Sequence, residues 1–124
     1  MYNTVYYAIE YKMTNTEKSQ LENITLELRR GVIVLAALSQ LEEEQYGYSL
    51  LKRLSDLGLE IDQGTLYPLL RRLETQGLLE SNWRVERDRP RRYYVLSRQG
   101  RKVLPAMIAE WKSLVQMMDA MLKE

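Results

Sequence analysis

Between residues 24 and 41 the apolar side chains Ile24, Leu28, Val32, Leu35, Leu38 and Leu41 recur at spacings of three and four, which predicts a helix with one continuous apolar stripe. The acidic run Glu42, Glu43, Glu44 and then Tyr46-Gly47 is the expected end of this first core helix, the acids forming a solvated helix end. Tyr48, Leu50, Leu51 and Leu54 predict a second, short helix that stops near Gly58. Asp62 is the expected N-cap of a third helix, with Leu66, Leu69, Leu70 and Leu73 facing inward and Gly77 as the left-handed residue after its end. Pro68 has no amide to donate and belongs near the first turns, which moves the expected start as late as Gly64 or Thr65.

After Gly77 the period changes. Residues 78 to 85 and Arg92 to Leu96 are two short segments rich in apolar and aromatic residues, joined by the charged stretch 86 to 91. They predict a β-hairpin with a charged tip. Ser97 is the expected cap of a last helix, in which Leu104, Ile108, Trp111, Val115, Met118 and Leu122 step by four, three, four, three and four residues. That alternation is a heptad seam. Met107, Leu114 and Met121 widen it, leaving the helix more apolar than a small monomer readily covers, so the seam is the expected dimer interface. Before all this, Tyr2, Tyr6, Tyr7 and Tyr11 follow no sustained period, and Thr14, Asn15, Thr16 and Ser19 read as a polar connector. The expected organisation is an amino-terminal extension (1–20, with Met13 an alternative start), a core domain (21–97) and a dimerisation helix (98–124).

The order helix, helix, helix, hairpin, helix is that of a winged helix-turn-helix: mainly α with a small β-hairpin, plus a long carboxy-terminal dimerisation helix. Residues 62 to 77 are the expected recognition helix and 86 to 91 the wing tip.

Composition narrows the function. The chain has 124 residues, 45% hydrophobic and 28% charged, with no cysteine and no histidine, which suits one soluble domain. The two absences exclude disulfides, thiolate nucleophiles, Ser/His triads and Cys/His zinc or haem sites. No apolar run approaches the roughly 20 residues of a membrane helix, and no signal peptide is evident, so a cytoplasmic protein without membrane contact is expected. No carboxylate constellation or phosphate-cradling glycine loop stands out, and neither catalysis nor a cofactor is expected.

The net charge of +1 hides a segregation: residues 1–63 carry −4, 64–102 carry +6 and 103–124 carry −1. Nine of the ten cations in the middle segment are arginines, among them Arg71, Arg72, Arg84, Arg87, Arg89, Arg91 and Arg92. Arginine suits bidentate contact with phosphates and guanine edges, and its coincidence with the third helix and hairpin favours a polyanion-binding surface over a merely solvated face. Thr65, Tyr67, Arg71 and Arg72 would face bases and phosphates, with Arg87, Arg89 and Arg91 reaching the backbone or minor groove from the wing. Tyr67 has a second reading as a core residue. A winged helix can also serve as a protein-interaction module without DNA affinity, but such a module has no need of the concentrated positive charge.

The stretch Gly64-Thr65-Leu66-Tyr67-Pro68-Leu69-Leu70-Arg71-Arg72-Leu73-Glu74, then Gly77-Leu78-Leu79, the segment Arg89-Pro90-Arg91-Arg92-Tyr93-Tyr94, and Leu96-Ser97 with Gly100 resemble the PadR family of bacterial transcriptional regulators. Tyr46-Gly47-Tyr48 fits as well, and the resemblance covers residues 26 to 122. The single carboxy-terminal helix is similar to the short subfamily that includes multidrug-binding regulators. The sequence departs from the family in its tyrosine-rich amino terminus and in a wing without paired glycines. The resemblance implies a homodimeric repressor that pairs through its last helix and binds palindromic operators in double-stranded DNA. It adds Pro68 to the recognition helix, so that the candidate DNA-binding set is Thr65, Tyr67, Pro68, Arg71, Arg72, Arg87, Arg89, Arg91 and Arg92. It also makes Trp111, flanked by Met107 and Met118, a candidate for stacking on a planar aromatic effector; filling the interface is the other reading, and the simpler one.

Overall fold

The computed structural model describes residues 12–123. In chain order these form α1 (Asn15–Ser39), β1 (Gln45–Tyr46), α2 (Gly47–Asp56), α3 (Gln63–Thr75), β2 (Leu79–Glu86), β3 (Arg89–Leu96) and α4 (Arg98–Leu122). The chain divides into two compact units between Val32 and Ile33.

The first unit contains the beginning of α1, which starts at Asn15, inside the stretch expected to be a connector. The reason is a reciprocal cap. The Thr14 amide donates to Glu17 Oε1 at 2.9 Å and the Glu17 amide donates to Thr14 Oγ1 at 3.1 Å, so two otherwise orphaned amides find partners. These hydrogen bonds hold the Glu17 carboxyl below the usual carboxylate range, the backbone bond contributing most. Of the expected apolar stripe, Ile24 and Leu28 lie exposed. The tyrosine-rich segment falls on residues 1–11, outside those described.

The second unit is built on a leucine core. Ile33, Ala37 and Leu38 of α1, Leu41 in the loop that follows, Leu50 and Leu54 of α2, the four inward leucines of α3, Leu79, Tyr94 and Leu96 of the hairpin, and Leu104 of α4 form one buried cluster. α1 ends at Ser39, three residues before the acidic run, so Glu42 to Glu44 lie in a loop and are not a helix end. The loop leads into β1, which sequence periodicity does not announce. It pairs antiparallel with β3 (Gln45 opposite Tyr94, Tyr46 opposite Tyr93), giving a three-stranded sheet in the order β1-β3-β2.

α2 and α3 end in the same way. Gly58 and Gly77 take φ of 104° and 84°, and the next amides, of Leu59 and Leu78, bond back to Leu54 O at 2.8 Å and Leu73 O at 3.0 Å. Only glycine enters that left-handed turn without a Cβ penalty. α3 starts at Gln63, ahead of the Gly64 or Thr65 that Pro68 suggested, because Asp62 accepts the Thr65 amide at 2.8 Å. Pro68 sits one turn in, where the helix forgoes one amide donor.

β2 and β3 pair in continuous register from Leu79 opposite Leu96 to Glu86 opposite Arg89. The expected six-residue tip is thus a two-residue turn, Arg87-Asp88, with φ of 50° and 61°, the geometry that matches the strand twist. Ser97 caps α4 by accepting the Gly100 amide at 3.0 Å, and donates its hydroxyl to the Gly77 carbonyl at 2.6 Å. One side chain therefore ties the end of α3 to the start of α4. Leu104 is buried, Met107 and Ile108 are half-buried against the core, and every described side chain of α4 beyond Ile108 is exposed. No helix among the described residues is long and apolar enough to cross a membrane.

Candidate nucleic-acid interface

Because Leu66, Leu69, Leu70 and Leu73 anchor one side of α3, Thr65, Pro68, Arg71, Arg72 and Thr75 are left on its exposed side. That follows from helical geometry: residues three and four apart share a face. Among the described residues no carboxylate lies within ion-pairing distance of Arg71 or Arg72.

Tyr67 belongs to the boundary. It is half-buried and packs against the core, with its ring over Gly47: a Cβ placed at residue 47 would lie 2.6 Å from Tyr67 Cε1. Glycine at the start of α2 is what lets the ring lie there. Burial pushes the Tyr67 hydroxyl above its ordinary pKa, with Tyr46 and Tyr48 adding to the effect. The phenol therefore stays protonated at neutral pH and can donate a hydrogen bond. Tyr67 thus packs on the core, as one of its two readings expects, and also lines the edge of the cleft.

The wing stands beside this face. Between them lies a cleft of about 760 Å³ lined by Tyr46, Gly47, Tyr48, Gln63, Tyr67, Leu70, Arg71, Trp83, Arg89, Pro90, Arg91, Arg92 and Tyr94. It combines cations with aromatic rings, a lining that can take phosphate charge and apolar sugar edges together.

The four wing arginines of the candidate set differ in their surroundings. Arg87 in the turn and Arg89 beside it are exposed, with no ion-pair partner among the described residues. Arg91 is half-buried, its guanidinium 4.4 Å from the Tyr46 ring centroid and 3.5 Å from Glu86. Arg92 is taken up internally. It donates to Glu74 Oε1 at 2.7 Å and to Ser81 Oγ at 3.0 Å, under the rings of Trp83 and Tyr94. On the opposite sheet face Arg84 pairs with Glu44 and lies 4.5 Å from the Tyr93 ring centroid, while the Tyr93 hydroxyl donates to Glu86. That bond, then burial, raises the Tyr93 pKa.

Periodicity and charge give no site role to Trp83, Val85 or Gln63, and mark Tyr48 only as part of a helix. Trp83 is 64% and Val85 74% exposed, and both occupy the sheet face that also carries Leu79, Tyr94 and Leu96. The usable signal is strand alternation: 79, 81, 83 and 85 share a face, whose far end, at Trp83 and Val85, is left exposed by the described residues.

On α4, Trp111 and Met118 are each 41% exposed, and Val115 and Leu122 lie on the same stripe. Met107, expected with them as an effector contact, is half-buried against the core, and Leu104, expected on the seam, is buried within it. Met117 adds to the exposed apolar surface of the helix.

A three-helix core with an antiparallel wing, and an arginine-bearing helix face open beside that wing, define a winged-helix DNA-binding regulator. The comparisons narrow the class. Residues 34–106 match the transcriptional regulator PadR-like family. The transcriptional regulator Rv3488 of Mycobacterium tuberculosis is 40% identical over 79 residues, 63% of this chain and 74% of that protein. The crystal structure of a PadR family transcriptional regulator from Eggerthella lenta DSM 2243 shares 43% identity with a TM-score of 0.81, covering 89% of this chain and 98% of that one. A PadR-like transcription factor from Bacteroides fragilis shares 31% identity with a TM-score of 0.68, over 80% and 98% of the two chains. The chain belongs to the PadR-like family of transcriptional regulators.

Proposed function

We propose that the protein is a sequence-specific repressor that binds a palindromic operator as a homodimer, with α3 in the major groove and the wing over the adjacent backbone or minor groove. The observation that carries this reading is the pairing of an open α3 face, bearing Arg71 and Arg72, with a wing tip bearing Arg87 and Arg89, all four without carboxylate partners among the described residues. Unpaired arginines on convergent elements can meet phosphates and guanine edges without first breaking internal ion pairs. Thr65 and Pro68 contact bases, Tyr67 donates to a phosphate, and Arg91, stacked on Tyr46, meets the strand at the cleft. Trp83 packs on the sugar edge of that strand.

The exposed stripe Trp111, Val115, Met118 and Leu122 forms the dimer seam, and Trp111 with Met118 offers a planar aromatic effector a stacking surface at its centre. Ligand binding there relieves repression by shifting the spacing of the two recognition helices. Such a ligand quenches tryptophan fluorescence; a quenching response that survives Trp111→Ala would remove the effector from this place.

The direct test of operator binding is selection from a randomised duplex library by the purified full chain. The expected product is an inverted repeat whose half-sites lie one helical turn, or a multiple of it, apart. Recovery of no common sequence would count against the reading.

A further inference from the structure

We infer that Glu74 and Arg92 form a bracket that fixes the wing against the recognition helix, so that Arg92 governs DNA binding as a positioning residue and does not itself touch DNA. The inference rests on the reading of α3 and the wing as the DNA-contacting pair. Its basis is a closed set of contacts. Glu74 stands in the last turn of α3, and both its carboxylate oxygens are engaged: Oε1 by Arg92 at 2.7 Å, Oε2 by the Ser81 hydroxyl at 2.7 Å. Ser81 Oγ in turn accepts Arg92 Nε at 3.0 Å. Three side chains from α3, β2 and β3 thus close a ring of three hydrogen bonds, each charge-assisted, and Glu74 and Arg92 are both only about one third exposed (28% and 33%).

Two further sets of contacts support the bracket. The Arg92 guanidinium also lies 5.8 Å from the Trp83 ring centroid and 5.5 Å from that of Tyr94, so that two rings help to hold it in place. The opposite face of the hairpin is held as well, by Glu44, which pairs with Arg84 and accepts from Asn82 Nδ2 at 3.5 Å. Carboxylates of the body therefore grip the hairpin near its midpoint from both sides, while the turn beyond carries the unpaired Arg87 and Arg89. A hairpin gripped at its midpoint has one approach angle, which fixes the distance from Arg89 to Arg71. That distance sets which phosphates can be met while α3 reads bases.

The two roles of Arg92 predict opposite signs for one substitution. If Glu74 merely holds a phosphate ligand in reserve, Glu74→Gln removes an anion from the interface and frees a cation, so affinity for DNA rises. If the bracket positions the wing, the same change loosens it, and affinity for a duplex recovered by selection falls about tenfold, within the usual range of couplings between contacting groups. Arg92→Lys adds a second discriminant: it keeps the charge, which suffices for a phosphate, but loses the planar fork that closes the ring. A comparable loss of affinity is expected. Tighter binding by Glu74→Gln, or wild-type affinity in Arg92→Lys, would overturn the proposal.

A positioning role also predicts non-additivity. In Glu74→Gln the wing no longer presents Arg89 in register, so Arg89→Ala has a smaller effect there than in the wild type; effects that simply multiply would place Glu74's role within its own helix. A readout without DNA separates failure of the bracket from failure of the DNA reading. In free Glu74→Gln protein, hydrogen exchange across β2 and β3 speeds up while that of α2 stays as in the wild type, and unchanged hairpin exchange would refute the bracket whatever the protein binds.

Discussion

Gly47 and Tyr67 show how one missing side chain shapes the proposed interface. With 2.6 Å between a would-be Cβ and the Tyr67 ring, Gly47→Ala must push the ring out of its seat. The expected result is a lower Tm, by about 1 to 3 kcal/mol of overpacking, together with weaker DNA binding. Tyr67→Phe, which keeps the ring and loses the hydroxyl, should weaken binding with little effect on Tm. Calorimetry and anisotropy on the two variants separate the packing role from the contact. The tyrosines also give a pH dependence. Burial is the leading cause of the raised pKa values of Tyr67 and Tyr94. A folded pKa above the unfolded one, near 10, means that the unfolded chain releases its proton first as pH rises. Stability is therefore held below about pH 10 and lost above it, and Tyr94→Phe should flatten the fall of Tm in that alkaline range.

At the scale of elements, the hairpin turn places two non-glycine residues at positive φ, Arg87 and Asp88. Asp88→Gly relieves one of them, so the protein should gain about 0.5 to 1 kcal/mol in urea unfolding; an unchanged midpoint would mean the turn stores no such strain. α2, α3 and α4 were legible in the sequence because the conditions that build them are local: leucines at helical spacing, Asp62 and Ser97 as caps, Gly58 and Gly77 as stops. The wing tip was legible only as a charged stretch. Residues 82 to 90 are exposed apart from the half-buried Glu86, so no alternation of buried and exposed side chains marks where the strands end. β1 was invisible for another reason, since two residues carry no period and this strand exists only through its pairing with Tyr93 and Tyr94. The start of α1 was readable in principle from Thr14-x-x-Glu17, but no apolar period accompanies that cap. The wing arginines were the hardest to separate. Arg89, Arg91 and Arg92 look alike in a basic run, and only the fold brings Arg92 to a carboxylate eighteen residues away in sequence.

At the scale of the molecule, a chain of net charge +1 concentrates its positive charge in the segment that supplies α3 and the wing, while α4 carries an apolar stripe beyond Ile108 with nothing of the described chain covering it. In the proposed dimer these two features would act together: the seam would set the separation of the two α3 helices, and the arginines would read what that separation allows. Met118→Glu places a charge in the seam. The expected outcome by sedimentation is a monomer at micromolar concentration that retains its fold, with operator affinity reduced at least a hundredfold because each half-site must then be bound alone. A Met118→Glu protein that still sediments as a dimer would move the interface elsewhere. The central claim, that α3 and the wing form a sequence-specific DNA surface, meets its most direct test in fluorescence anisotropy of a selected duplex against a scrambled one across a salt series, with wild type and Arg71→Ala side by side. The wild type should hold the selected duplex at salt concentrations that release the scrambled one, and Arg71→Ala should bind more weakly with a salt slope shallower by about 1. Equal affinity of the wild type for both duplexes at every salt concentration, or a slope that Arg71→Ala leaves unchanged, would contradict it.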